Sequence, residues 1–209
     1  MSNFADYLRF AVTLTAVLDP FLAVPIFLTV TASRGAAQRA ALVRVVVITV
    51  FCVLTAAALL GERILLYIGA SLSAFRVGGG LVLLLMALAM LNAQPGGVRQ
   101  SQAEARELRS GELPGVVPLA VPLLAGPGAI STTIIAAQPG DWLHIAAVIA
   151  CIFVVCALTW GVLKLAHPIG ARMGTTGLNV ATRLLGLLLA ALAIQTMAEG
   201  LRTLFPGLA

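Results

Sequence analysis

Residues 19–25 read D-P-F-L-A-V-P and lie in the middle of a run, 10–30, whose single charge is Asp19. An apolar run of that length reads as a membrane-spanning helix, since about 20 residues cross the hydrocarbon core. Two prolines inside it disturb it. Each removes a backbone donor, and its ring clashes with the carbonyl four residues earlier. Pro20 and Pro25 therefore predict a spanning helix kinked or broken near its middle. Main-chain groups freed at such a break are tolerated inside protein or along a wet cavity, never against lipid.

Outward from this run, charge-free stretches at 45–61, 77–98, 113–140 and 142–163 predict four more spans. A sixth, 184–198, has to extend past Arg183 or Glu199, whose long side chains can snorkel from the helix ends. The runs show no alternation of period two, so they read as helices and not as barrel strands. The composition agrees. Of 209 residues, 60% are hydrophobic and 10% charged, with a mean hydropathy of +1.05. Soluble domains carry about 25% charged residues, so a water-exposed globule is excluded. The net charge of +5 is spread over too few residues to form a nucleic-acid face. Six helices also leave no room for a separate soluble catalytic domain. The first eight residues lack a basic leader and a cleavage site, so the first run is expected to stay as a helix. Cys52, Cys151 and Cys156 lie in apolar runs and read as buried small hydrophobes, not as a disulfide framework.

Basic residues sort unevenly between the loops. The first, third and fifth loops and their flanks hold nine: Arg34, Arg39, Arg44, Arg99, Arg106, Arg109, Lys164, Arg172 and Arg183. The opposite side holds four: Arg9, Arg63, Arg76 and Arg202. The positive-inside rule then predicts a multi-pass membrane protein with both termini outside and the three basic loops in the cytoplasm.

The chain also echoes itself. P-F-L-A-V-P at 20–25 and P-L-L-A-G-P at 122–127 share four of six positions, 102 residues apart. R-V-G-G from Arg76 and R-L-L-G from Arg183 are 107 residues apart. Three spans separate each pair, so the second copy enters the membrane from the opposite face. The expected fold is an all-α membrane protein of six transmembrane helices, arranged as two inverted three-helix repeats with broken first and fourth helices. The first repeat takes 1–92, a cytoplasmic linker 93–113, and the second repeat 114–209. Chance similarity between Leu/Ala/Pro-rich helices is the competing explanation. Pro118, Pro122 and Pro127, with Gly126 and Gly128, are expected to break the fourth helix.

Two broken helices from opposite repeats meeting near the midplane offer amides and carbonyls to the two ends of a zwitterion. The candidate substrate-binding residues are Asp19, Pro20, Ala23 and Pro25 on the first helix. On the fourth they are Ala125, Gly126, Pro127, Gly128, Ala129, Ser131 and Thr132. Prolines that only shape helix packing are the bland alternative. A carboxylate at the depth of Asp19 is expensive unless neutral, paired or hydrated. It reads both as a proton-coupling group and as an N-cap for the half-helix beginning at Pro20. Thr13, Thr15 and Thr29 are expected to bond back to their own helices. Gly78, Gly79, Gly80 and Gly186 are expected to admit close helix contact. Gln195 is a weaker pore candidate, His144 and His167 lie near opposite interfaces, and Trp142 and Trp160 fit the aromatic belts of the fifth span. No H-E-x-x-H, redox-spaced cysteine pair or Ser/His couple points to an enzyme, and no cofactor or metal is implied.

The Asp19–Phe27 stretch, the run from Arg76, P-L-A-V-P-L-L-A-G-P-G-A-I-S-T at 118–132 and R-L-L-G-L-L-L-A-A-L-A-I-Q from Arg183 together resemble the MarC family. That resemblance implies a six-helix inner-membrane protein grouped with SnatA-like transporters of small neutral amino acids such as glycine and alanine. Proton-coupled uptake is the implied mechanism. Asp19, Gly126, Pro127, Gly128 and Ser131 match family positions, whereas Leu22-Ala23 replaces the Gly-Asn common in the family. The expected function is therefore a secondary transporter of small neutral amino acids working by alternating access, coupled to protons or sodium, in contact with membrane lipid and compatible with a homo-oligomer. Alternatives are an exporter of amino acids or other small metabolites, and a membrane scaffold or regulator that transports nothing.

Overall fold

Asp19 ends one helix and begins the next. In the computed structural model, which describes residues 4–31, 34–92, 124–138 and 141–208, α1 spans Phe4–Leu18 and α2 spans Pro20–Val30. Between them Asp19 adopts φ 42°, the left-handed region that Asp tolerates better than most residues. Its N–H donates to the Thr15 carbonyl at 3.0 Å and closes α1. Its Oδ1 accepts the Leu22 N–H at 3.2 Å and opens α2. Pro20 stands at the first helical position, where no N–H is needed. The two prolines thus differ in effect. The break falls one residue before Pro20, whereas Pro25 sits inside α2 and the helix continues through it. Pro25 removes only the rung to the Phe21 carbonyl, a loss that packed membrane helices tolerate.

The remaining helices are α3 (Ala36–Ile68), α4 (Leu72–Leu91), α5 (Pro127–Ala136), α6 (Trp142–Lys164) and α7 (Ala166–Leu204), followed by a 3-10 turn at Pro206–Leu208. Their ends follow local chemistry. Gly69, at φ 74°, closes α3 in a left-handed cap, with the Ala70 N–H reaching the Leu65 carbonyl at 3.0 Å. Ser71 caps α4 through the Ala74 N–H at 3.1 Å, and Asp141 caps α6 through the His144 N–H at 2.9 Å.

Among the described residues, five segments are long and apolar enough to cross a membrane: Phe4–Leu28, α3, α4, α6 and α7. α5 is a shorter apolar helix. α3 and α7 run well beyond the predicted 45–61 and 184–198, because a helix need not stop where its charges begin. Arg44, Glu62 and Glu199 lie within them, all exposed. α7 kinks at Gly174, which takes φ 61° and ψ −176°. Ile48, Ile64, Phe153, Val154, Leu187 and Ile194 are exposed, as suits side chains that meet acyl chains. Trp142 and Trp160 are exposed at opposite ends of α6, as the aromatic-belt reading predicts. Of the cysteines, all free, Cys156 is buried but Cys52 is exposed. An apolar run in a membrane protein can face lipid as well as core.

Packing between spans has no hydrophobic driving force in lipid, so close backbone approach matters. A Cβ on Gly80 would lie 3.0 Å from the Ala193 carbonyl, on Gly186 3.2 Å from that of Ala87, and on Gly200 2.8 Å from that of Ser73. As numbers rise along α4 they fall along α7, so the two helices pack antiparallel. Gly79 faces Ser131 of α5, whereas a Cβ added at Gly78 would meet nothing within 4 Å. Thr13 and Thr15 bond back to Arg9 and Ala11 at 2.8 and 2.7 Å, as expected. The side chain of Thr29, the linker 93–113, Pro118 and Pro122 lie outside the described residues.

Candidate functional site

α5 begins at a Gly-Pro-Gly. Gly126 is its N-cap in an extended conformation, and Pro127 occupies the first turn. Gly128 leaves room for Met86 and Leu83 of α4. Behind it come three hydroxyls with different fates. Ser131 Oγ donates to the Gly128 carbonyl at 3.1 Å, and Thr133 Oγ1 to that of Ala129 at 2.8 Å. Thr132 Oγ1 is buried and has no hydrogen-bond partner.

Thr132 lines a cavity of about 330 Å³ formed by α1, α4, α5 and α7. This volume lies at the small end of ligand pockets, which run from about 300 to 1,000 Å³. Its floor is buried: Phe10, Thr13, Leu83, Thr132 and Ala136. Arg9, Gln195 and Glu199 are exposed at its rim. Gln195 Nε2 donates to Glu199 Oε1 at 3.2 Å, a pairing of adjacent turns. Arg76, at the start of the second turn of α4, also lines the cavity, and its Nε is buried with no partner. A buried donor left unmade costs about 1–3 kcal/mol, and more when charged. Two such atoms, Arg76 Nε and Thr132 Oγ1, belong to one cavity. The lining carries two cations, Arg9 and Arg76, and two anions, Asp6 and Glu199, so its formal charge is zero.

Of the substrate-binding candidates named from the sequence, Thr132 is the one that lines this cavity. Ala23, Ala125 and Ala129 belong to the apolar core, and Pro20, Gly126, Gly128 and Ser131 are buried. Pro25 is half-buried and Pro127 is exposed. Asp19 is 0% exposed. It follows Thr13 by six residues, about 9 Å along the helix, so it lies beneath the cavity floor on the same broken crossing.

Arg76 and Glu199 went unrecognised because a charge at a span end reads as an orientation signal. The usable hint was that Arg76 opens the glycine-rich stretch that packs on α7. Gln195, the weaker candidate, does stand at the rim. His144 has a structural part. Its Nε2 faces the Ala136 carbonyl at 2.9 Å, and Nδ1 faces Tyr7 Oη at 2.9 Å. A carbonyl only accepts, so Nε2 donates to Ala136, and Nδ1 shares its hydrogen bond with the Tyr7 hydroxyl. This clamp ties the end of α5, beside the cavity, to α1 and α6.

Comparison with known proteins fits this architecture. A family model described as "MarC family integral membrane protein" matches residues 4–205. The chain belongs to the MarC family. Among MarC-type relatives, the Escherichia coli (strain K12) protein named UPF0056 membrane protein YhcE is 36% identical over 210 residues, 99% of this chain and 96% of its own. UPF0056 membrane protein YvbG of Bacillus subtilis (strain 168) is 36% identical over 197 residues, 93% of each chain. UPF0056 membrane protein MJ1677 of Methanocaldococcus jannaschii is 36% identical over 191 residues, 90% of this chain and 91% of its own. No solved structure matches this MarC-family chain.

Proposed function

We propose that this MarC-family protein is a secondary transporter of small neutral amino acids, not an enzyme, that works by alternating access and couples to protons. The observation that carries this reading is the pair of buried, unpartnered polar atoms, Arg76 Nε and Thr132 Oγ1, in one small cavity of zero formal charge. A zwitterion suits such a lining: its carboxylate takes the guanidinium and the Thr132 hydroxyl, and its ammonium takes Glu199 or Asp6. An anionic or cationic metabolite would leave one pair uncompensated. Substrate contact thereby moves from the helix break itself, where the sequence put it, to the cavity one to two turns above.

Below that cavity, the break at Asp19 supplies the coupling group and the bending point. The carboxyl lies in the core, where a charge is costly unless it is neutralised, paired or hydrated. In this reading the protein lies in the inner membrane, with the cavity facing the same side as the termini.

An inverted repeat supplies the second state, and the helix boundaries support one. Asp19-Pro20 and Gly126-Pro127, each beginning a half-helix, are 107 residues apart, as are Arg76 and Arg183, and Gly79 and Gly186. The same offset carries the start of α3 to within one residue of the start of α6. This register differs by five residues from the 102-residue match of the proline pairs. Antiparallel α4 and α7 are what a two-fold axis in the membrane plane requires of equivalent helices.

The test is uptake of labelled glycine, alanine, serine and threonine into proteoliposomes under an imposed pH gradient. Gradient-driven uptake of at least one, lost in Arg76→Gln, is expected. Absence of uptake and counterflow for all four refutes the substrate class. Accumulation that responds to a sodium gradient alone refutes the proton.

A further inference from the structure

At the end of the bundle opposite the termini, α2, α3, α6 and the start of α7 line a second cavity of about 420 Å³. Its wall is apolar: Phe27 and Leu28 from α2, Val43 from α3 and Leu163 from α6. Its charged lining is of one sign. Arg39, Arg44 and Lys164 contribute to it, with His167 beside them, and no acid lines it among the described residues. We propose that this cavity is a binding site for an anionic glycerophospholipid of the surrounding bilayer, its phosphate held by the three cations and one acyl chain laid along the apolar wall.

Charge complementarity carries the assignment. Three cations converge on a cavity whose lining, among the described residues, offers them no counter-ion. Arg39 Nε is engaged by the Arg34 carbonyl at 2.8 Å, which leaves its terminal nitrogens for a ligand. Lys164 Nζ stands 4.7 Å from the Trp160 ring centroid, which orients the ammonium without neutralising it. Position agrees with charge. Trp160 is an exposed belt residue at the end of α6, so the cavity mouth lies at headgroup depth, where basic pockets between spans meet acidic lipid. A free phosphate would satisfy the cations but leave the apolar wall unfilled. A zwitterionic lipid would bring its own ammonium to a site already rich in positive charge. This site shares no lining residue with the first cavity, so the assignment does not depend on the transport reading.

The experiment is thermal unfolding of the full chain in a neutral detergent, titrated separately with phosphatidylglycerol, phosphatidylcholine and sodium phosphate. Phosphatidylglycerol is expected to raise the midpoint saturably, and the other two to leave it unmoved. Each cation near a lipid surface contributes about a fivefold factor in affinity. Arg44→Gln and Lys164→Gln should each weaken the phosphatidylglycerol effect by about that much, and the double variant by about 25-fold. Arg172→Gln, an equal loss of charge at a residue that does not line the cavity, should leave it intact. Equal stabilisation by phosphatidylcholine, a full effect from phosphate alone, or an unchanged double variant overturns the proposal. So does a fall in oligomeric mass in the double variant, which would assign the cavity to a second copy of the chain.

Discussion

Replacing Thr132 by valine exchanges a hydroxyl for a methyl of nearly equal volume, and its consequences have opposite signs in the empty and the occupied protein. Thr132 Oγ1 is buried and makes no hydrogen bond, so nothing internal is lost when it goes. An unsatisfied buried hydroxyl costs about 1–3 kcal/mol. Valine should therefore stabilise the ligand-free protein by about 1 kcal/mol or more, seen as a melting temperature a few degrees higher. In the occupied cavity the same hydroxyl meets a carboxylate. Loss of a hydrogen bond worth about 0.5–1.5 kcal/mol, or up to about 3 kcal/mol to a charged group, weakens binding by roughly 2- to 150-fold. Both quantities come from one data set, melting curves of the detergent-purified protein across a titration with alanine or glycine. A residue that merely packs would lower the melting temperature and leave the dissociation constant alone. A Thr132→Val protein that melts lower than the parent, or binds the amino acid equally well, refutes the assignment of this hydroxyl to the ligand.

Other consequences are as direct. Asp19→Asn keeps a side chain that tolerates the left-handed region and caps a helix, so the fold should survive; amino acid exchange should persist while accumulation driven by a pH gradient is lost, as measured in proteoliposomes. Gly200→Val places a Cβ 2.8 Å from the Ser73 carbonyl and the Val77 side chain. It should cost about 1–3 kcal/mol or more through overpacking, visible as a lower melting temperature and a broadened size-exclusion peak. Tyr7→Phe removes the 2.9 Å bond to His144 and should cost about 0.5–1.5 kcal/mol, with uptake reduced only as far as the α5 clamp loosens.

Much of the fold was legible because membrane solvent leaves few options. Charge-free runs marked five crossings among the described residues, the D-P pair marked the break, and glycines marked where α4 and α7 touch. Proline chemistry predicted a disturbance at both Pro20 and Pro25, with Asp19 as the cap of the half-helix at Pro20; the chain does break at Asp19 but carries Pro25 through a helix. A side chain that can both adopt a positive φ and cap the next helix decides that, and a proline pattern does not encode it. The cavity was less legible. Arg76 and Glu199 are 123 residues apart in sequence and come to one place only through the antiparallel packing of two long helices. Thr132 looked no different from Ser131 and Thr133 in sequence. Only the satisfied bonds of its two neighbours set it apart.

A joint of one residue has a mechanical meaning. α1 and α2 share Asp19 with no spare loop between them, so any change in the angle between the two rods falls on the torsions of that residue alone. α2 extends 11 residues beyond it, an arm of about 16 Å. A swing of about 10° at the joint displaces the far tip by roughly 3 Å over that length, half the width of an amino acid side chain turned into travel by the rotation of a bond or two.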